Sequence, residues 1–259
     1  MERLGGRTAV VTGAAGGIGL AVTEALVAEG MRVLMADVDG AALAVQATRL
    51  AEAGAQVHAA TVDVRDPDAV ADVAEVAVRR FGGLHVAVNN AGIVVRGNSW
   101  ELSLDDWRRV VDVDLWGVVH GVRSFVPHIL ATGDEGHVVN VASMAAVHAR
   151  AQLGPYTVAK HGVLGLSDVL RAELDAIGAP VGVSVVLPGL VRTGMVPIGT
   201  VPASAVAANV VDAIRHGRAY VYTDDHHSDE VETRLTAILG ARADVLPYEA
   251  CPAAGAAPS

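Results

Sequence analysis

The chain has 259 residues and a mass of 26.5 kDa, long enough to bury about 70–75% of the area its unfolded form exposes, so one large domain is the expectation. Apolar residues make up 52% and charged residues 19%, which excludes a disordered chain. A net charge of −10 and a pI near 5.4 argue against nucleic-acid or acidic-membrane partners, whose binding relies on clustered Lys and Arg.

Short β-type runs alternate with helical patterns along the chain. Strands are expected at Thr8–Thr12, Arg32–Ala36, Gln56–Val62, Leu84–Asn89, Gly136–Val141, Val181–Leu187 and Ala219–Tyr222. Most are Val-rich without polar alternation, as in a parallel sheet covered on both faces. Helices are expected near Gly17–Glu29, Ala41–Ala53, Pro67–Phe81, Leu104–Leu130, Tyr156–Ile177 and Pro202–His216. Pro67 and Pro202 suit first helical turns, and Asp66 and Asp68 complement the positive end of a helix dipole. The pattern predicts an α/β fold: a single-domain, Rossmann-type doubly wound parallel sheet of about seven strands with helices on both faces. The domain is expected over 1–246, with a flexible tail over 247–259.

Mean hydropathy is +0.40, so targeting and membrane signals need a check. The uncharged run Thr8 to Thr23 is interrupted by Gly13, Gly16, Gly17 and Gly19, and Thr193 to Val211 contains Pro197, Pro202 and Asn209. Neither suits a signal peptide or a spanning helix. A lone cysteine, Cys251, makes no internal disulfide, which points to a reducing, cytoplasmic location.

Behind the first strand stands Gly13-Ala14-Ala15-Gly16-Gly17-Ile18-Gly19, followed by a helix. Glycines there permit a tight turn and close approach of the backbone to a pyrophosphate, and the helix N-terminus supplies N–H donors. Asp37, 18 residues after Gly19, ends the second strand, where a carboxylate accepts hydrogen bonds from ribose hydroxyls. It would repel a 2′-phosphate, and no Arg or Lys lies from Ala36 to Gln46. NAD is therefore expected over NADP.

Thr12-Gly13-Ala14-Ala15-Gly16-Gly17-Ile18-Gly19 resembles the TGxxxGxG signature of the short-chain dehydrogenase/reductase family, and further matches follow in order. Asp63-Val64 is similar to the family's adenine-contacting pair, and Asn89-Asn90-Ala91-Gly92 to its NNAG segment beside the adenosine half of the cofactor. Pro188-Gly189-Leu190-Val191-Arg192-Thr193 resembles the PGxVxT stretch that holds the nicotinamide carboxamide. The likeness runs over roughly residues 5 to 222. It implies cofactor contacts at Gly13, Gly17, Ile18, Gly19, Asp37, Asp63, Val64, Asn90, Ala91, Gly92, Tyr156, Lys160, Pro188, Gly189, Val191 and Thr193.

Tyr156 and Lys160 are four apart at the start of a helical segment and share one face. Ser143 lies 13 residues upstream, just past the C-terminal end of the fifth strand, the edge at which open α/β sheets bind ligands. The set resembles the family's Ser–Tyr–Lys centre. Tyrosine is a poor base at neutral pH, but a nearby ammonium stabilises phenolate. The resemblance gives Tyr156 the role of general base, Lys160 those of modulator and ribose ligand, and Ser143 that of substrate orienter. Where the family usually has asparagine, this chain has Asp114. Its main-chain carbonyl is expected to keep the structural role, while its carboxylate would raise the affinity of Lys160 for its proton.

The segment Gly194 to Pro202 is short, apolar and uncharged. By family analogy it is the substrate lid, with Met195 a contact, and it favours an apolar secondary alcohol or ketone. His148 is a weaker candidate for the substrate cleft. Asp224 to Glu230 holds ligand-type residues, but in consecutive order rather than on one helical face, so a solvated loop and helix N-terminus is the reading and no metal is expected. Apolar residues on more than one face of the helices around Val118–Val126 and Val163–Leu170 suit subunit contacts in a homodimer or homotetramer. Trp100, Trp107 and Trp116 are expected to anchor the cleft or such a contact. Two rival functions are an NAD-binding redox sensor without turnover and a dehydratase or epimerase on the same scaffold.

Overall fold

The computed structural model describes residues 1–225 and 227–241; the tail expected at 247–259, with Cys251, lies outside them. The first half runs β1 (Thr8–Thr12), α1 (Gly17–Ala28), β2 (Arg32–Asp37), α2 (Gly40–Glu52), β3 (Val57–Thr61), α3 (Pro67–Phe81), β4 (Val86–Asn89), α4 (Leu104–Val111) and α5 (Gly117–Ala131). The second half runs β5 (Gly136–Val141), α6 (Gly154–Ala176), β6 (Val181–Leu187), β7 (Val191–Arg192), β8 (Val201–Pro202), α7 (Ala203–His216), β9 (Tyr220–Tyr222) and α8 (Ser228–Gly240). Seven strands form one sheet in the order β3-β2-β1-β4-β5-β6-β9, every pair parallel. The chain reverses direction across the sheet between β1 and β4, which opens a crevice at their C-terminal ends.

The pleat divides the core in two. Ala9 and Val11 of β1 face one cluster with Leu26 of α1, Leu43 of α2 and Ile214 of α7. Val10 faces the other, with Val73 of α3, Phe125 of α5 and Leu170 of α6. Alternation of this kind buries every residue of β1 and explains the apolar runs. Caps set the helix starts. The Asp66 side chain accepts from the Asp68 and Ala69 N–H groups at 3.0 and 3.2 Å ahead of α3, a cap that stabilises by about 1 kcal/mol.

β1, β5 and β6 coincide with the expected runs. The expected continuous helix Leu104–Leu130 does not form: α4 ends at Val111, and Asp112–Trp116 make a π-helical segment before α5. The wider turn shifts the side-chain phase, and Asp114 becomes fully buried. Pro202 caps α7 from β8 instead of standing in its first turn. Asp229 and Glu230 occupy the first turn of α8, and no cluster of His, Cys, Asp and Glu fit for a metal occurs among the described residues. None of their helices is long and apolar enough to cross a membrane.

Candidate active site

β1 ends at Thr12, and the chain turns through Gly13 into α1. Gly13 has φ +66°, and a Cβ at Gly19 would lie 2.1 Å from the Gly13 carbonyl oxygen, so the turn closes only with glycine at both positions. Asn90, just beyond β4, ties the turn down: its Nδ2 donates to the carbonyls of Thr12 at 2.9 Å and Gly13 at 3.2 Å. Thr12 Oγ1 returns the contact by accepting from the Asn90 and Ala91 N–H groups at 2.9 and 3.1 Å. The N-terminus of α1 has no side-chain cap and no acidic residue in its first turn, which leaves its N–H donors and positive potential to an anion. Asp37 closes this end of the cleft, with Oδ2 accepting from Ala15 N–H at 2.9 Å and Oδ1 from Asp39 N–H at 3.0 Å.

A cleft of about 750 Å³ runs from Asp37 and Asp63 past the glycine turn to Ser143 and Tyr156. Gly13, Gly17, Ile18, Val64, Asn90, Ala91, Gly92, Pro188, Gly189, Val191, Thr193 and Met195 line it, while Gly19 is buried beneath the turn. The glycine cradle, the uncapped helix end and the carboxylate at the tip of β2 fit a nicotinamide dinucleotide. Asp63 is gripped by Arg65, whose Nε lies 3.0 and 2.9 Å from its two oxygens. That hydrogen bonding holds the Asp63 carboxyl below the usual carboxylate range.

At the other end, Ser143 follows β5 and caps the one-turn 3₁₀ helix Met144–Ala146, its Oγ accepting from Ala145 N–H at 3.1 Å. Tyr156 and Lys160 sit in the first two turns of α6. A buried polar chain fixes that helix to the sheet: Asn89 Nδ2 donates to Asn140 Oδ1 at 2.9 Å, Asn140 Nδ2 to Ser167 Oγ at 3.0 Å, and Ser167 Oγ to the Val163 carbonyl at 2.7 Å. Lys160 is 3% exposed. Its Nζ donates to the Val141 carbonyl at 3.1 Å, lies 3.2 Å from Asp114 Oδ2, and stands 5.5 Å from the centre of the Tyr156 ring. Burial works against the Lys160 ammonium, yet the Asp114 carboxylate, with a lesser contribution from Tyr156, carries it above the ordinary lysine range. Burial pushes the Asp114 carboxyl upward, restrained by Lys160 and by the Ile93 N–H.

His148 does not line the cleft; its ring stacks on His227 at 5.5 Å. The segment after Ser143 is drawn to α8, where Arg234 donates to the Val147 carbonyl at 3.2 Å and meets His161 Nε2 at 3.1 Å. Trp100 and Trp116 are 82% and 50% exposed, Trp107 Nε1 donates to the Ser99 carbonyl at 3.3 Å, and none of the three lines the cleft. The segment expected to form the lid is closed at its base by pairing of β7 with β8. Arg65, Arg109, Val113 and Ile93 line the cleft without having been singled out from the sequence. The composition carries one further signal: of 19 Lys and Arg residues, Lys160 is the only lysine.

Residues 7–198 match the short chain dehydrogenase family. The 1-deoxy-11-beta-hydroxypentalenate dehydrogenase of Streptomyces avermitilis is 45% identical over 188 residues, 72% of this chain and 69% of that protein. The oxidoreductase SadH of Mycobacterium tuberculosis is 40% identical over 194 residues, 74% of this chain and 70% of its own. Among solved structures, a short chain dehydrogenase/reductase from Burkholderia phymatum in complex with NAD superposes with a TM-score of 0.91 at 32% identity, covering 96% of this chain and all of that one.

Proposed function

We propose, on the premise that this chain belongs to the short-chain dehydrogenase family, that it interconverts an apolar secondary alcohol and its ketone with NAD. The observation that carries this reading is the convergence of Ser143, Tyr156 and Lys160 on a cleft whose far end is Asp37. When bound, nicotinamide supplies the hydride acceptor. Tyr156 takes the hydroxyl proton as hydride leaves carbon, Lys160 favours the phenolate by its charge, and Ser143 holds the substrate oxygen. Gly13, Gly17, Ile18, Asn90, Ala91 and Gly92 cradle the dinucleotide, with Asp63 and Val64 at adenine and Pro188, Gly189, Val191 and Thr193 at the carboxamide. Asp37 selects NAD by accepting from ribose hydroxyls and repelling a 2′-phosphate.

The apolar character of the substrate rests on Met195 and Val196 of the lid and on Ile93 and Val94, which line the same cleft. A relative named as a dehydrogenase of a hydroxylated compound agrees with alcohol chemistry. A dehydratase or epimerase would need a further acid or base in the cleft, and His148 is turned to His227 instead. The chain works as one domain over 1–246 in the cytoplasm. It pairs as a homodimer or homotetramer through faces that expose Val158, Val169 and Trp116.

Tyr156→Phe is expected to lower turnover by about 10²–10⁴-fold while the chain still binds NAD by calorimetry; undiminished oxidation by this variant overturns the assignment. Cyclohexanol, menthol and borneol, each tested with NAD and with NADP, should give reduced nicotinamide with NAD in preference. Turnover of none of them removes the apolar-alcohol reading.

A further inference from the structure

Where the family resemblance leads one to expect a neutral asparagine, this chain places a carboxylate against the cleft's one ammonium. Asp114 is wholly buried and Lys160 nearly so. The π-helical segment turns Asp114 inward, Oδ1 accepts from the Ile93 N–H at 2.8 Å, and Oδ2 lies 3.2 Å from Lys160 Nζ. The loop after β4, the end of β5 and α6 therefore meet at a single ion pair. Stripped of its partner, a buried ammonium is left uncompensated and gives up its proton more readily. With the carboxylate in place, the positive potential that Lys160 exerts on Tyr156 is partly cancelled.

We propose that Asp114 is a positioning residue whose carboxylate anchors the Lys160 ammonium directly and offsets part of its field at Tyr156. This rests on the reading of Tyr156 as base and Lys160 as its modulator. Asp114 takes no proton in the reaction: the hydroxyl proton goes to the Tyr156 phenolate, and the hydride goes to the cofactor. Its effect is to set the pH at which alcohol oxidation begins, moving that onset to higher pH than asparagine would give. Few other charges compete. On α6, His161 is engaged by the Thr157 carbonyl and Arg234; Val141, Ala142 and Ser143 of the β5 end and Gly92 and Ile93 of the β4 loop carry none. Arg109 of α4 lines the same cleft, and Asp63 and Arg65 pair with each other at its adenine end.

The lone lysine makes the proposal directly measurable. Protein labelled with ¹⁵N at lysine Nζ carries one side-chain amine signal, from Lys160, and that signal is read without cofactor or substrate. Asp114→Asn preserves the side-chain shape and an oxygen for the Ile93 N–H. In this variant the amine signal is expected to titrate at least about one pH unit lower than in the parent chain, the usual effect of removing an opposite charge within contact distance. An unchanged titration overturns the anchoring. With the best-oxidised alcohol of the panel above, the half-rise of kcat/KM with pH is expected to move about one unit toward acid, with NAD affinity changed by less than about threefold. A half-rise that stays in place overturns the field effect. Tyr156→Phe, run beside it, separates the two readings: if that variant keeps its turnover the catalytic assignment falls, while the lysine titration still judges the ion pair.

Discussion

The Ala15 N–H donates to Asp37 Oδ2 at 2.9 Å, so the carboxylate at the tip of β2 is fastened to the glycine turn at the head of α1. The residue proposed to choose the cofactor is thus also a strut of the pocket proposed to hold its phosphates. Asp37→Ser is expected to weaken NAD by about 10–100-fold, the equivalent of one or two lost hydrogen bonds to a charged group, and to narrow the NAD/NADP ratio. Calorimetric titration with each dinucleotide checks both. An unchanged ratio would detach Asp37 from selection.

The chain from Asn89 through Asn140 to Ser167 holds α6, and with it Tyr156 and Lys160, against the sheet. Ser167→Ala leaves the buried Asn140 amide without its acceptor, so unfolding should become easier by about 1–3 kcal/mol. Urea denaturation measures this directly. A midpoint equal to that of the parent chain would mean another group takes up the amide.

Gln152, four residues before Tyr156, has φ +66° and is the non-glycine residue in that region of backbone space among the described residues. Its carbonyl accepts from the Gly97 N–H at 3.1 Å beside the bridge between Gly97 and Leu153. Gln152→Gly should stabilise the fold by about 1 kcal/mol, because the left-handed conformation costs a side-chain-bearing residue roughly that much; Gln152→Val should do the opposite. Thermal melts of the two variants on either side of the parent would bear this out.

His137 on β5 is buried and shares a hydrogen bond of 2.8 Å with Ser184 on β6. Burial above all pushes its imidazolium down to about 3. The unfolded chain takes up this proton near pH 6.5 and the folded chain does not. The residue's contribution is therefore complete above pH 6.5 and is lost as pH falls from there toward 3, with a slope of up to about 1.4 kcal/mol per pH unit. His137→Gln should flatten the loss between pH 7 and 5 in urea titrations. Parallel curves for the two proteins would contradict it.

The sheet was readable from sequence because strands covered on both faces leave unbroken apolar runs, as β1, β5 and β6 do. The glycine turn and the Tyr156–Lys160 spacing were readable because close backbone approach and a shared helix face leave local patterns. The break in the expected helix from Leu104 was not. A π turn changes phase by one residue, neither proline nor glycine lies within Asp112–Trp116, and the origin of the turn is tertiary: Asp114 turns inward to Lys160, 46 residues away. The position of His148 was not legible for a similar reason. Its partner, His227, is brought to it by the packing of α8, whose Val231 joins the small core cluster that includes Met144 and Ala146. The two-residue strands β7 and β8 are too short to leave a periodic signal.

Of the Lys and Arg side chains, those that carry surface positive charge are all guanidinium, since the single lysine is 3% exposed inside the cleft. Amine-directed reagents therefore find no side chain on the outside of the molecule. Any acylation, reductive alkylation or lysine-to-lysine cross-linking chemistry that does modify a side chain reports on entry to one buried point. Coupling to a support through lysine would cost activity in proportion to its yield, and arginine- or carboxylate-directed coupling would reach the cleft as well, through Arg65, Arg109, Asp37 and Asp63.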